Sequence, residues 1–125
     1  KVPIAFAMSY PERLASNGPA LHLGQLGTMH FEAPDPFRFP ALRLAYQALK
    51  EGGTACCTLN AANEMAAEAF INGRMRFWQV AKVVEETLSH LGTHPAESLE
   101  DILEADSSAR RIASKLITET QMEDT

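Results

Sequence analysis

The chain has 125 residues, of which 46% are hydrophobic and 22% are charged, and its formal net charge is −5 at pH 7. This length and composition fit one compact globular domain, or one domain with a tail. The acidic balance argues against a general nucleic-acid binder, because the 11 Lys and Arg residues are scattered and phosphate neutralisation needs them clustered. No apolar run approaches the ~20 residues of a membrane-spanning helix, and no signal peptide is visible, so we expect no membrane partner.

The first 35 residues predict an irregular segment that belongs to a domain lying elsewhere. Pro3 suits the first position of a short helix, which the Tyr10-Pro11 step should end. Asn17-Gly18-Pro19 predicts a turn, and weak alternation over residues 28–32 predicts a strand. A single strand cannot pair its own backbone groups, so it needs a sheet from other residues. Because the chain also begins at Lys1 without an initiating Met, we expect it to be a piece of a longer protein.

Everything after residues 33–40 predicts helix. Pro34, Pro36 and Pro40 make that segment a stiff, extended connector, and we place the domain boundary there, between residues 1–35 and residues 36–125. Apolar residues then recur at helical spacing, so the stripes can bury one another in a small four-helix bundle of a mainly α protein. The four predicted helices cover about residues 40–51, 54–72, 77–91 and 98–120, and glycines or prolines separate them.

The apolar periodicity assigns a buried face to each helix. Ser98 and Asp101 have the spacing of a capping box at the start of the fourth helix. A bend is predicted in that helix near Asp106-Ser107-Ser108. The tail from about Thr120 is expected to fray. The residues assigned to the buried faces are Leu42, Ala45, Tyr46 and Leu49 in the first helix; Leu59, Ala62, Ala66, Ala69 and Phe70 in the second; Phe77, Val80, Ala81, Val84, Leu88 and Leu91 in the third; and Leu99, Ile102, Leu103, Ala109, Ile112, Ala113, Leu116 and Ile117 in the fourth.

The two cysteines are neighbours, Cys56 and Cys57. Adjacent helical residues point in different directions, so a disulfide between them would need unusual backbone geometry. We interpret both as small buried or half-buried residues in a reducing cytosol, and so expect a cytoplasmic protein. A reactive thiol is the alternative, but no base lies nearby in the sequence.

Polar residues in the second helix are the strongest candidates for chemistry. Asn60 and Glu64 lie one turn apart, as do Glu64 and Glu68, and Asn63 lies between them. One hypothesis is a cluster that binds a metal or polarises a carbonyl. The favoured hypothesis is structural: an asparagine hydrogen-bonds the connector backbone and the glutamates face water, because divalent metals need several converging carboxylates.

The other candidate motifs are weaker. His90 and His94 have metal-ligand spacing, but Gly92 should end the helix before His94. His22 and His30 have no carboxylate pattern near them, and Gly24-x-x-Gly27 is too short for a phosphate loop. Trp78 falls beside the core stripe that contains Phe77, which leaves two alternatives: an exposed Trp that contacts another domain or subunit, or a partly covered Trp at the end of the bundle. We therefore expect no catalytic, cofactor-binding or metal-binding residue in this chain.

A series of short motifs, in order, resembles the C-terminal region of the 1-deoxy-D-xylulose 5-phosphate reductoisomerase family. The resemblance is closest at residues 59–64, Leu-Asn-Ala-Ala-Asn-Glu. The other segments that carry it are Val2-Pro3-Ile4-Ala5, Pro11-Glu12-Arg13, residues 31–35 and 38–40, Ala69-Phe70, Arg76-Phe77 and residues 99–103.

The resemblance implies a parent enzyme with three parts: an NADPH-binding domain, a catalytic domain with the metal carboxylates and the homodimer interface, and a helical bundle that braces the catalytic domain. Residues 1–35 would then be an extended or irregular remnant of the α/β catalytic domain, and 36–125 the bundle. The parent would use NADPH and Mn²⁺ or Mg²⁺ in the non-mevalonate pathway of isoprenoid biosynthesis. The family's catalytic residues lie upstream, so this piece would bind neither cofactor and be inactive alone.

A freestanding acidic helical module that binds other proteins is the alternative. The first 35 residues argue against it, because they resemble part of a missing neighbour. Apolar side chains there, such as Ile4, Phe6, Met8, Met29 and Phe31, would lack their normal partners. We therefore expect residues 1–35 to be disordered or to associate with a second copy of the chain.

Overall fold

We describe residues 2–14 and 21–123 in a computed structural model of the chain, with side chains as far as residue 120. These residues contain six α-helices and no strand. The helices are α1 (Val2–Ser9), α2 (Leu23–Leu26), α3 (Pro40–Glu51), α4 (Ala55–Ile71), α5 (Phe77–Leu91) and α6 (Leu99–Glu123). They divide between two compact units, Lys1–Ala33 and Pro34–Thr125. None of the described helices is both long and apolar enough to cross a membrane.

The first unit contains α1, α2 and irregular backbone. Helix α1 ends at Ser9, as the Tyr10-Pro11 step predicted, and the Phe6 ring packs edge-on against Tyr10 with 5.7 Å between centroids. The guanidinium of Arg13 lies 4.9 Å from the centroid of the same ring. Neither α1 nor α2 has a buried residue.

The strand predicted over residues 28–32 is wrong. These residues are exposed and have no regular structure, because no partner strand lies in the described part of the chain. The turn predicted at Asn17-Gly18-Pro19 falls outside the described residues.

The second unit is a four-helix bundle, so the mainly α fold with a helical bundle is confirmed. Helix α4 packs against α3, α5 and α6, whereas α3 packs only against α4 and α5. Two polar contacts show the relative directions of α3 and α5. Arg43 bonds Glu85 and Thr93 bonds Glu51, so α3 and α5 run parallel. Because short turns join successive helices, the bundle has up-and-down topology.

Small side chains bring the helices together. Ala61, Ala62, Ala66 and Ala69 of α4 are completely buried, and alanine lets a neighbouring helix approach closely. Larger residues from α3, α5 and α6 fill the space around them. The buried cluster consists of Leu44, Ala62, Ala66, Ala69, Met75, Val83, Val84, Ala113, Leu116 and Ile117.

The buried face predicted for α3 is wrong. The bundle buries Leu44 and Ala48, whereas Leu42, Tyr46 and Leu49 are 46%, 67% and 69% exposed. Helix α3 lies at the edge of the bundle, so its neighbours cover only one side of its wide apolar surface. Periodicity identified the apolar residues of α3 but not the part that this bundle covers.

Three other helices also leave predicted core residues exposed. Phe70 and Phe77 pack edge-on against each other, with centroids 5.6 Å apart, but both remain exposed. In α5 the buried residues are Gln79, Val83, Val84 and Thr87, so its buried face is rotated away from Phe77. Leu99 and Leu103 of α6 are likewise exposed, whereas Ala109, Ala113, Leu116 and Ile117 are buried as predicted.

The start of α6 confirms the predicted capping box. The Asp101 N–H donates to Ser98 Oγ at 3.1 Å, and the Ser98 N–H donates to Asp101 Oδ2 at 2.8 Å. These bonds satisfy backbone donors that have no partner within the helix. The helix stays α-helical through Asp106-Ser107-Ser108, where we predicted a bend, and continues to Glu123, beyond the predicted fraying at Thr120.

Backbone contacts join the α3–α4 turn to the segment after α5. The Thr54 N–H donates to the His94 carbonyl at 2.9 Å, and the His94 N–H donates to Thr54 Oγ1 at 3.1 Å. Gly53 lies between α3 and α4 with φ +47°, and a Cβ there would collide with the His94 carbonyl. Glycine is therefore required at this position both by conformation and by space.

We expect Gly53→Ala to lower the free energy of unfolding by about 3 kcal/mol, because it combines a strained φ with a backbone collision. Gly73→Ala is the matched control: Gly73 has φ +70° but open space around the added Cβ, so it should lose only about 1 kcal/mol. Urea denaturation followed by circular dichroism measures both. Equal losses would contradict the proposed collision at His94.

Candidate functional site

The polar residues of α4 form a network with α6. Asn60 Nδ2 donates to Glu64 Oε1 at 2.9 Å, and Arg110 Nη2 donates to Glu64 Oε2 at 2.7 Å. Arg110 Nε also donates to Asp106 Oδ2 at 2.7 Å. The i, i+4 spacing of Asp106 and Arg110 puts both on one face of α6, directed at Glu64. We call Asn60, Glu64, Asp106 and Arg110 the α4–α6 network.

The network keeps its acids ionised. Hydrogen bonds from Arg110 and then Asn60 lower the pKa of Glu64, and the hydrogen bond from Arg110 lowers the pKa of Asp106. The same pairs raise the pKa of Arg110, first through Asp106 and then through Glu64. A carboxyl group with a lowered pKa is a poor general acid at neutral pH. The electrostatics therefore favour a fixed ion-pair network over proton transfer.

The geometry also favours a structural role over metal binding. The guanidinium of Arg110 bridges the two carboxylates and occupies acceptor positions that a cation would need. The described residues contain no group of three or more His, Cys, Asp or Glu side chains that could hold a metal ion. The network joins two helices that lie side by side, so it is a polar contact between α4 and α6.

The structural hypothesis needs one correction. We predicted that Asn60 or Asn63 would bond the connector backbone and that the glutamates would face water. Asn60 instead bonds Glu64, and Glu64 bonds Arg110 across the helix interface. Asn63 and Glu68 are exposed, and the network as described does not reach them.

The histidines are not brought together as ligands. Helix α5 ends at Leu91, before His94, as predicted. His90 Nδ1 lies 2.7 Å from the Glu86 carbonyl, and His94 Nε2 lies 3.0 Å from the Leu91 carbonyl. Each ring is therefore engaged with its own local backbone. His22 and His30 are exposed in the first unit.

The cysteines are free thiols in different environments. Cys56 is exposed, which corrects the prediction that both are at least half-buried. Cys57 is half-buried, and its Sγ contacts the Ile102 carbonyl at 3.4 Å. Burial, followed by the charge of Asp106, raises the pKa of the Cys57 thiol. A raised pKa makes a thiol less nucleophilic, which argues against the reactive-thiol alternative for Cys57.

A cleft of about 320 Å³ lies where α4, the segment after α5 and α6 meet. The polar groups on its walls include Thr54, His94 and Asp101. Thr54 Oγ1 already accepts from the His94 backbone, and Asp101 already caps α6. Thr54 and Asp101 therefore already have hydrogen-bond partners within the chain.

An aromatic group lies where α4 ends and α5 begins. Trp78 is 59% exposed, as the sequence allowed, but Phe77 is 66% exposed, although we predicted that it would join the core.

Gly24-x-x-Gly27 lies in and after the four-residue helix α2, with no strand before it among the described residues. In the part of the chain that the structure describes, the segment has neither the preceding strand nor the following long helix of a phosphate loop.

Sequence reasoning missed Asp106 and Arg110. We predicted a bend at Asp106 and did not single out Arg110. Their i, i+4 spacing was a usable signal for an ion pair on α6. Nothing in the spacing, however, indicated that Glu64, 46 residues earlier, would share the guanidinium.

We expect Arg110→Met to raise the pKa values of Glu64 and Asp106 toward their ordinary range, because both lose their main hydrogen-bond donor. NMR titration of the side-chain carboxyl groups measures this. Arg111→Met is the matched control, because Arg111 bonds Ser108 and not the network. Unchanged titration in Arg110→Met would contradict the network.

The pH dependence of stability follows from the same shifts. Because the folded-state pKa values are lowered, the network stabilises the protein above the ordinary carboxyl pKa values of about 4 and loses this effect as pH falls through the folded values. We expect the stability of Arg110→Met to fall less steeply than that of the wild type between about pH 5 and pH 2. Urea unfolding at a series of pH values measures the difference, and equal slopes would contradict it.

The comparisons with known proteins agree on one family. The sequence model described as the DXP reductoisomerase C-terminal domain matches residues 1–112. The chain is 50% identical over 117 residues to 1-deoxy-D-xylulose 5-phosphate reductoisomerase of Ralstonia nicotianae, covering 94% of this chain and 30% of that protein. The same enzyme of Acinetobacter baumannii is 49% identical over 116 residues, with 93% and 29% covered.

Solved structures give the same result. The reductoisomerase from Zymomonas mobilis in complex with NADPH superimposes with a TM-score of 0.79 at 40% identity, covering 93% of this chain and 31% of that one. A DOX-P reductoisomerase in complex with NADPH, fosmidomycin and magnesium gives 0.75 at 38% identity, with 94% and 31% covered. The chain thus spans about 30% of the length of these relatives. It belongs to the DXP reductoisomerase C-terminal domain family.

Proposed function

We propose that this chain is the supporting C-terminal region of an NADPH- and divalent-metal-dependent reductoisomerase. The parent enzyme would convert 1-deoxy-D-xylulose 5-phosphate to 2-C-methyl-D-erythritol 4-phosphate in the non-mevalonate pathway of isoprenoid biosynthesis. The observation that carries the proposal is the family match over residues 1–112, with relatives of that name at up to 50% identity. In this proposal residues 1–35 complete the catalytic domain and residues 36–125 form the bundle.

We propose that the described residues hold neither cofactor, and we assign the NADPH and metal sites to the remainder of the parent enzyme. No group of three candidate metal ligands lies among them, and Arg110 already bridges the acids of the α4–α6 network. A divalent ion would polarise the substrate oxygens and NADPH would supply the hydride, as the family activity requires. No step of that chemistry is assigned to a residue of this chain.

The contribution of this region would be mechanical. The buried alanines of α4 and the α4–α6 network give a bundle with fixed helix positions. A rigid support outside the reacting groups helps to hold catalytic residues in productive geometry. We further propose that this chain is inactive alone, that the parent is a homodimer, and that it works in the bacterial cytoplasm, where its two free thiols stay reduced.

The experiment is NADPH oxidation with 1-deoxy-D-xylulose 5-phosphate and Mn²⁺ or Mg²⁺. It is run on this chain and on a polypeptide extended at its N terminus to the length of the relatives. We expect activity only in the extended protein, because the proposal places both cofactor sites there. Reactions without substrate and with a metal chelator are the controls.

Two outcomes would contradict the proposal. Activity of this chain alone would refute the supporting role, and inactivity of the folded extended protein would refute the assignment of the parent enzyme. The second outcome would favour a freestanding helical module that binds other proteins, for which the exposed Phe77 and Trp78 provide apolar surface.

A further inference from the structure

Helix α3 carries an apolar stripe that the bundle does not cover. Phe39, Leu42, Tyr46 and Leu49 are 52%, 46%, 67% and 69% exposed. Their spacing of three, four and three residues places them along one side of the helix, in the pattern typical of helices that pack on a partner. We call these four residues the α3 stripe. Exposed apolar residues scattered singly need no explanation, but an ordered row does.

The polar side of α3 is already engaged within the bundle. Arg43 Nη2 bonds Glu85 Oε1 at 2.7 Å, and Glu51 accepts from Gln47 and from Thr93 at 2.8 Å. The bonds to Glu85 and Thr93 join α3 to α5 and to the segment after it, whereas the Gln47–Glu51 bond lies within α3. The helix therefore buries Leu44 and Ala48 against the bundle, flanks them with polar residues that bond its neighbours, and leaves a second apolar side uncovered.

We propose that the α3 stripe is the surface on which the bundle docks against the part of the reductoisomerase that precedes this chain. The inference rests on the proposed function and deepens it, because it names the contact through which the bundle would support the enzyme. The partner surface would be apolar, with a hydrogen-bond acceptor for the Tyr46 hydroxyl, because a buried tyrosine hydroxyl usually finds a partner.

The length of the relatives indicates which occupant to expect. This chain covers about 30% of each, and the matching family is described as the C-terminal domain, so most of a relative's polypeptide precedes this region. A surface of the same polypeptide has a high effective concentration that a separate molecule lacks. The stripe also begins at Phe39, the residue before α3, so it starts where the preceding polypeptide enters the bundle. A second copy of the chain is the competing occupant.

Hydroxyl-radical footprinting tests the proposal on native protein. Side-chain oxidation of Tyr46 and Leu42 is compared between this chain and the extended polypeptide used in the activity assay. We expect labelling of both residues to fall several-fold in the extended protein. Leu103, exposed on α6, which does not pack against α3, is the matched control and should be labelled equally in both.

Substitution gives a second readout. Tyr46→Asp should lower the thermal unfolding midpoint of the extended protein and leave that of this chain unchanged, since Tyr46 is exposed here. Leu103→Asp should change neither midpoint. Equal labelling of Tyr46 in the two proteins would overturn the assignment. An equal fall in the unfolding midpoint of the extended protein in Tyr46→Asp and in Leu103→Asp would also overturn it. So would a dimer of this chain that Tyr46→Asp dissociates, because a second copy would then occupy the stripe.

The activity assay separates failure of this inference from failure of the proposed function. An active extended enzyme in which Tyr46 is fully labelled refutes the α3 stripe and leaves the proposed function standing. A folded but inactive extended protein in which Tyr46 is protected refutes the proposed function and leaves the docking surface standing.

Discussion

The structure depends most on the alanine face of α4. Five alanines of α4 are completely buried and let neighbouring helices lie close to it, and α4, like α5, packs against all three other helices of the bundle. Close-packed protein interiors tolerate little change in side-chain volume, so the small residues at these positions set the distances between the helices. The α4–α6 network then adds a directional contact at the edge of the same interface. Small residues bring the helices together, and the network favours one position of α6 on α4.

The polar side chains described above join the helices of the bundle or cap them. Thr54 and His94 tie one end of the bundle together, Ser98 and Asp101 cap α6, and Arg43 joins α3 to α5. Each candidate for chemistry that we considered in the second unit has local partners of this kind or is exposed. This distribution is expected of a region that supports an enzyme from outside its reacting groups.

Several apolar residues that the periodicity assigned to the core are exposed in the structure. The α3 stripe and the aromatic group of Phe77 and Trp78 cost stability in water, because apolar surface left exposed forgoes the gain from burial. Residues placed in the core by periodicity and then found at the surface are not explained by this chain alone. The chain spans about 30% of the length of its relatives, and the proposed docking of the α3 stripe would account for the exposure of that row.

The sequence by itself determined the four long helices, the ends of α3 and α5 at glycines and the capping box at Ser98, because spacing, capping and positive φ act within a few residues. It also determined the family, through short motifs in a preserved order. Only the tertiary structure decided which side of α3 is buried, where Phe77 lies, and that Arg110 joins Glu64 to Asp106. Those outcomes depend on which helices meet, and α4 meets α6 through contacts between residues more than 40 positions apart, which no local pattern specifies.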